Sequence, residues 1–159
     1  MTVGVRLASS DEDFRRFRDL VVEYEASLPE DLKHSDFSDE VDDLPHCYGP
    51  PNAALVASCD GAAIGCVALA RRDAATAIVK KLYVKPACRR LGAARALMAA
   101  LIETSSARGY TTLVLDTERD RLPAAYRLYR ALGFEHAEPY GDVDYAAPTF
   151  MQLDVQSAR

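Results

Sequence analysis

The stretch Ile78-Val79-Lys80-Lys81-Leu82-Tyr83-Val84-Lys85-Pro86-Ala87-Cys88-Arg89-Arg90-Leu91-Gly92-Ala93-Ala94-Arg95 decides how this chain folds and what it can bind. Its first seven residues are apolar and β-branched enough for a strand, Pro86 ends that strand, and the run from Arg89 to Ala94 opens a helix. Leu91, Ala94, Leu97, Met98, Leu101 and Ile102 then recur at helical spacing, with Gly109 as C-terminal cap. The start of a helix leaves backbone N–H groups without partners and carries about half a positive charge, so it favours an anion. Gly92, Ala93 and Ala94 are small enough for a phosphate to reach the main chain. Lys80, Lys81, Lys85, Arg89, Arg90 and Arg95 lie between Asp73 and Glu103, a window with no acidic residue inside it, in a chain of net charge −5. The segment reads as a cradle for one compact polyanion.

Upstream of it, Val3, Val5 and Leu7 alternate in a short strand, and Ser9 with Glu12 has capping-box spacing for a helix that carries Phe14, Phe17, Val21 and Tyr24. From Glu30 to Asp43 the chain is acidic and reads as a loop with a short helix ended by Pro45. Two apolar runs, 53–58 and 63–69, flank Asp60-Gly61, a strong hairpin signal, and a third strand from Thr76 to Val84 extends the meander across Arg71-Arg72-Asp73. Downstream come a strand from Thr111 to Asp116, a helix from about Pro123 to Leu132 with Gly133 at its end, and a last strand near Phe150 to Val155. Strands grouped around a central strand-helix-strand unit predict a mixed α/β fold, a sheet with helices packed on its faces.

With 159 residues, 49% of them hydrophobic, the chain suits one domain over residues 1–159 with one core. No apolar run approaches the roughly 18 residues of a membrane span, and no charged-then-apolar leader is seen, so the expectation is a cytoplasmic protein without a membrane partner. Cys47, Cys59, Cys66 and Cys88 lack C-x-x-C spacing and do not combine with His34, His46 or His136 in a zinc pattern, so free thiols and no metal are expected. Cys88 reads as an ordinary loop residue, although its place beside Arg89 is a setting that can favour a thiolate. A pI near 5.2 argues against nucleic acid as a partner. Neither G-x-x-x-x-G-K-[ST] nor G-x-G-x-x-G is present, which argues against a nucleotide-binding loop.

The second half carries a matching signature, Leu128-Tyr129-Arg130-Ala131-Leu132-Gly133-Phe134, about forty residues after the cradle. A strand ending in Val-x-Pro, then Arg-x-x-Gly-x-Ala, is met by Val84, Pro86, Arg89, Gly92 and Ala94, and Leu-Tyr-x-x-Leu-Gly-Phe follows in order. Together these motifs resemble the GNAT superfamily of acetyl-CoA-dependent N-acetyltransferases. Lys81-Leu82-Tyr83-Val84, Leu115-Asp116-Thr117 and Phe150-Met151-Gln152-Leu153 extend the resemblance toward a bacterial-type, small single-domain branch. The resemblance implies a central, mostly antiparallel mixed sheet of about six or seven strands with about four flanking helices. It also implies a strand that splays from its neighbour at a bulge, and a homodimer as the assembly common among similar proteins.

On the same resemblance the cosubstrate is acetyl-CoA. Its diphosphate would rest on the main chain of Arg89, Arg90, Leu91, Gly92, Ala93 and Ala94 with Arg95 assisting, and its pantetheine arm along Leu82, Tyr83 and Val84. Tyr129 matches the family's general acid for the departing thiolate. Tyr126 reads as core or as a wall of the substrate site. The acceptor is a small-molecule or peptide amine, which must shed a proton because a free alkyl amine titrates near 10. Two positions depart from the family pattern. The usual glutamate is replaced near Ile78 and the usual asparagine near Leu122, so the base is unassigned and the asparagine's contact falls to Asp116 or Thr117. Both departures favour an alternative, a non-catalytic acyl-CoA-binding or regulatory module. The acidic residues Asp39, Glu40, Asp42 and Asp43 suggest attraction of a cationic acceptor.

Overall fold

A computed structural model describes residues 2–143 and 145–157. The elements run β1 (Val3–Leu7), α1 (Asp11–Ser27), α2 (Phe37–Glu40), α3 (Leu44–Tyr48), β2 (Ala53–Cys59), β3 (Ala62–Arg71), β4 (Thr76–Val84), α4 (Ala93–Ala107), β5 (Thr112–Thr117), α5 (Pro123–Leu132), β6 (Glu135–His136) and β7 (Thr149–Asp154), with single 3-10 turns at Glu30–Leu32, Pro86–Leu91 and Val155–Ser157. The strands form one sheet in the order β1-β2-β3-β4-β5-β7-β6. Every pairing is antiparallel except β4 with β5, which α4 connects. This is the mixed, mostly antiparallel architecture expected from the sequence. No helix among the described residues is long and apolar enough to cross a membrane.

Helices cover both faces of the sheet, which is why the hairpin strands read as unbroken apolar runs rather than alternating ones. On one face Leu97, Met98 and Leu101 of α4 pack with Leu55, Val67, Leu69, Leu113 and Phe134. On the other, Phe14, Phe17, Leu20 and Val21 of α1 meet Val56, Cys66, Ala68 and Tyr83. The Asp60-Gly61 turn, with both residues at positive φ (51° and 83°), closes the hairpin as its sequence demands.

Three local expectations shift. The capping box of α1 is Ser10 with Asp13, one residue later than Ser9 with Glu12, because the Ser10 hydroxyl accepts the Asp13 N–H at 3.1 Å while Asp13 accepts the Ser10 N–H at 3.3 Å. Pro45 begins α3 rather than ending a helix; in the first turn its missing N–H costs nothing. Finally, α4 starts at Ala93, after a 3-10 turn that runs from Pro86 through Leu91.

The feature that positions the site is an interruption in β4. Val67 of β3 faces both Lys81 and Leu82, because the register shifts between Cys66↔Tyr83 and Ala68↔Lys80, and Lys81 takes φ 60°. Pairing of β4 with β5 covers only Thr76↔Thr112 to Ile78↔Val114, yet both strands continue beyond it. The sheet therefore opens into a V. Gly65 sits across from Val84 on the closed side; a Cβ there would lie 2.8 Å from the Tyr83 carbonyl oxygen and 3.2 Å from Leu97, so only glycine admits this close approach.

Candidate functional site

The V holds a cavity of about 1060 Å³. Its walls come from β4 between Ile78 and Val84, the start of α4, the end of β5 with the loop after it, α5, the chain after α1, and the loop between β6 and β7.

At one end lies the cradle. Gly92 is left-handed (φ 78°, ψ 15°), and the first hydrogen bond of α4 runs from the Ala96 N–H to the Gly92 carbonyl at 3.0 Å. The amides of Ala93, Ala94 and Arg95 therefore have no acceptor within the helix. A Cβ placed on Gly92 would meet nothing within 4 Å, so the approach to these donors is open. Leu82, Tyr83, Val84, Arg89, Gly92, Ala94 and Arg95 all line the cavity. Arg90, Leu91 and Ala93 do not: Arg90 is exposed, Leu91 packs against the core and Ala93 is fully buried. The Arg89 guanidinium is braced by its Nε donating to the Val84 carbonyl at 3.1 Å.

The six cations of the cradle window are not equally free. Lys81 is buried and pairs with Glu40 at 3.1 Å, and Lys85 pairs with Glu23 at 2.7 Å, which holds the Lys85 ammonium above its ordinary pKa. Arg89, Arg90, Arg95 and Lys80 have no carboxylate partner among the described residues. Cys88 is half-buried and packs on the core.

Tyr129 projects from α5 into the middle of the cleft, with its ring on Phe134 at 5.6 Å between centroids. Its hydroxyl has no hydrogen-bond partner among the described residues, and no fully buried polar side-chain atom among them lacks one. The hydroxyl therefore opens onto the cavity. Burial lifts the phenol well above its ordinary pKa, with Tyr24 and the Asp116 charge adding to the effect, so it keeps its proton at any working pH. Tyr126 lies at the edge of the core, where its hydroxyl contacts His136 Nε2 at 2.7 Å outside the cleft.

The far end of the cleft is built from polar groups most of which, Asp116 apart, sequence reasoning passed over. Asp116, at the end of β5, accepts hydrogen bonds from the Tyr140 hydroxyl and, at 2.8 Å, from the Tyr145 hydroxyl, both carried by the loop between β6 and β7. Arg121 donates to both oxygens of Asp31 at 2.9 Å and to Glu118 at 2.8 Å, tying the loop after β5 to the turn after α1 and holding both carboxyls below their usual range. His34 Nδ1 lies 2.9 Å from the buried carboxylate of Glu25. Ile78 and Leu122 line the wall where the family pattern has polar residues. Of Asp39, Glu40, Asp42 and Asp43, only Glu40 reaches the cleft. A signal for this end existed: two tyrosines, Tyr140 and Tyr145, in a loop that is otherwise acidic or small and carries two prolines, and an aspartate near the end of an apolar strand.

The model of the acetyltransferase (GNAT) family matches residues 15–134. The chain is 32% identical over 156 residues to an uncharacterized N-acetyltransferase of Schizosaccharomyces pombe, covering 96% of this chain and 95% of that protein. Its fold is similar to the crystal structure of a GNAT-family acetyltransferase of Staphylococcus aureus (TM-score 0.79, 17% identity, 97% of this chain and 99% of that one). It is also similar to a putative acetyltransferase of Salmonella typhimurium solved with acetyl-CoA (TM-score 0.74, 20% identity, 99% and 96%). A bulged β4 splayed from β5, open amides at the start of α4, and a family match over most of the length agree, and the chain belongs to the GNAT family of N-acetyltransferases, whose acetyl donor is acetyl-CoA.

Proposed function

We propose that the chain acts as one domain that moves the acetyl group of acetyl-CoA directly to a primary amine. The observation that carries this reading is the continuity of the cleft: open helix-start amides at one end and the Tyr129 hydroxyl midway, joined by the unpaired edge of β4. The amides of Ala93, Ala94 and Arg95, with Arg89 and Arg95 beside them, suit a diphosphate, and the small side chains of Gly92 and Ala94 let it reach them. Beyond the bulge, Leu82, Tyr83 and Val84 offer the polar main chain and apolar side chains that an extended pantetheine arm needs.

Acetyl-CoA supplies an activated thioester carbonyl. In the balanced step the amine nitrogen bonds to that carbon and the carbon–sulfur bond breaks. One of the two protons leaving the ammonium replaces the proton given to sulfur, and the other goes to solvent. A raised phenol is a weak acid toward a thiolate of pKa near 8.5, so Tyr129 contributes mainly as a hydrogen-bond donor to the developing sulfur charge. Its effect belongs near the low end of the roughly 10²- to 10⁴-fold range of general acids. The same reading includes a cytoplasmic setting and a homodimer.

The test is a thermal-shift titration followed by turnover. At about 100 times Kd a ligand adds about 2.7 kcal/mol, which for a chain of this size raises Tm by about 5–11 °C. Acetyl-CoA and CoA are expected to do so, and amine-dependent release of CoA is expected to fall about 100-fold in Tyr129→Phe with the acetyl-CoA shift unchanged. The apolar Ile78 and Leu122 on the cleft wall favour a second reading, a binding module without turnover. A full thermal shift with no acetylation across a broad amine panel would assign the chain to that class.

A further inference from the structure

Asp116, at the far end of the cleft, is a carboxylate whose hydrogen-bond partners among the described residues are neutral hydroxyls. Its two oxygens each accept a tyrosine hydroxyl, from Tyr140 and Tyr145, and among the described residues no cation lies within ion-pair distance of it. A carboxylate offers about four lone-pair positions, so these two bonds leave capacity for a further donor. Of the other cations lining the cavity, Lys81 is held by Glu40, Arg121 by Asp31 together with Glu118, and Lys33 by Glu30; Lys80, on β4, has no carboxylate partner among the described residues and makes no ion pair with Asp116. Around it, Tyr24, Tyr129, Tyr140 and Tyr145 all line the cavity, and the Asp116 charge contributes to the raised pKa of each, which places all four phenols within its field. Tyr24 in turn packs on Tyr83 at 5.7 Å between ring centroids, next to the bulge of β4.

A half-buried negative charge ringed by aromatic groups and lacking a counter-charge is complementary to a cation with N–H donors. The charges along the cleft are arranged to match. Among the described residues, the cradle end holds Arg89 and Arg95 free of carboxylates, while Asp36 and Asp142 line the cavity without cationic partners. An acceptor whose amine stood beside its own carboxylate would meet these acids unfavourably, and an aromatic amine, neutral at physiological pH, would gain nothing from Asp116.

We infer that the acetyl acceptor is an alkyl ammonium compound without a carboxylate next to its amine, docked with its nitrogen on Asp116 inside the tyrosine ring. This rests on the acetyltransferase reading of the same cleft and names its acceptor class.

The experiment is isothermal titration of the CoA-saturated protein with 1,4-diaminobutane, 2-phenylethylamine, glycine and aniline, repeated on Asp116→Asn and Tyr145→Phe. The two alkylamines are expected to bind, with glycine and aniline at least tenfold weaker. Asp116→Asn should weaken the alkylamines by about 10- to 100-fold, the range of one charge-assisted hydrogen bond, while the CoA thermal shift stays unchanged. Tyr145→Phe, which keeps the ring and removes one hydroxyl from Asp116, should change alkylamine affinity and leave glycine and aniline unaffected. The inference is overturned if neither alkylamine binds, if glycine or aniline binds as well as they do, or if Asp116→Asn leaves their affinity intact. Should Asp116→Asn not fold, the wild-type ranking and Tyr145→Phe still decide. Failure of CoA itself to stabilise the protein would instead strike the transferase reading, and the alkylamine ranking measured on the unliganded protein would then judge the ammonium site separately.

Discussion

Replacing Gly92 by alanine separates the cost of backbone strain from the loss of an anion site. Gly92 has φ 78°, a conformation that costs an L-residue about 1–2 kcal/mol, and a methyl there touches nothing within 4 Å. The stability loss is therefore strain alone, and for a chain of this size it lowers Tm by about 2–8 °C. Gly92 itself lines the cavity, however, so the methyl takes up room where a diphosphate would lie on the start of α4. Losing one charge-assisted hydrogen bond to a diphosphate, worth about 1.5–3 kcal/mol, weakens acetyl-CoA by about 10- to 100-fold. Gly133→Ala is the control: φ is 104°, the added Cβ lies 3.4 Å from Leu153, an ordinary contact, and the site is at the C-terminal end of α5 outside the cleft. Both variants should lose comparable Tm without ligand, and only Gly92→Ala should lose most of the acetyl-CoA-induced shift. Equal acetyl-CoA affinity in the two variants would refute the cradle, because both carry left-handed strain and only Gly92 lines the cleft.

Two further outcomes follow from ionic contacts. Lys81 and Glu40 form a pair with side chains only 3% and 17% exposed, so Lys81→Met strands a carboxylate and should destabilise by about 3–5 kcal/mol in chemical denaturation, whereas Lys81→Met with Glu40→Gln should recover most of that loss. Asp13 has its pKa lowered from 3.8 to about 2, chiefly by the Ser9 N–H and also by the Ser10 N–H and Arg6, so its contribution is fully present above about pH 4 and disappears as pH falls toward 2. Asp13→Ala should accordingly cost about 1 kcal/mol near neutral pH and flatten the acid limb of a stability-versus-pH curve in that window.

What the sequence made legible was local. Gly92-Ala93-Ala94 after a proline-ended strand, Asp60-Gly61 between apolar runs, and Pro123 with Gly133 around a helix each state their geometry through steric requirements of neighbouring residues, and the structure has the corresponding turn, hairpin and helix. The start of α4 was displaced because Pro86 favours a tight turn that consumes Cys88 to Leu91 before Gly92 can reverse the chain. The charge of the cradle was overread for a different reason. An acid-free window in sequence says nothing of acids brought in by folding, and Glu40 and Glu23 arrive from the helices packed on the far side of β4 to neutralise Lys81 and Lys85.

The far end of the cleft was hidden because its members meet only through pairing in the sheet. Asp116 stands opposite Phe150 on β7, a register that brings the preceding loop, with Tyr140 and Tyr145, back over the end of β5. No spacing rule links positions so far apart. The division has a physical basis: an anion held by main-chain amides needs small residues and a particular turn, which a short motif can specify. A cation held by a carboxylate and phenols needs side chains from separate elements, which can change without disturbing the turn. A chain built this way states its anion cradle in a motif, while the charges at the far end of the cleft have to be read from three-dimensional pairing.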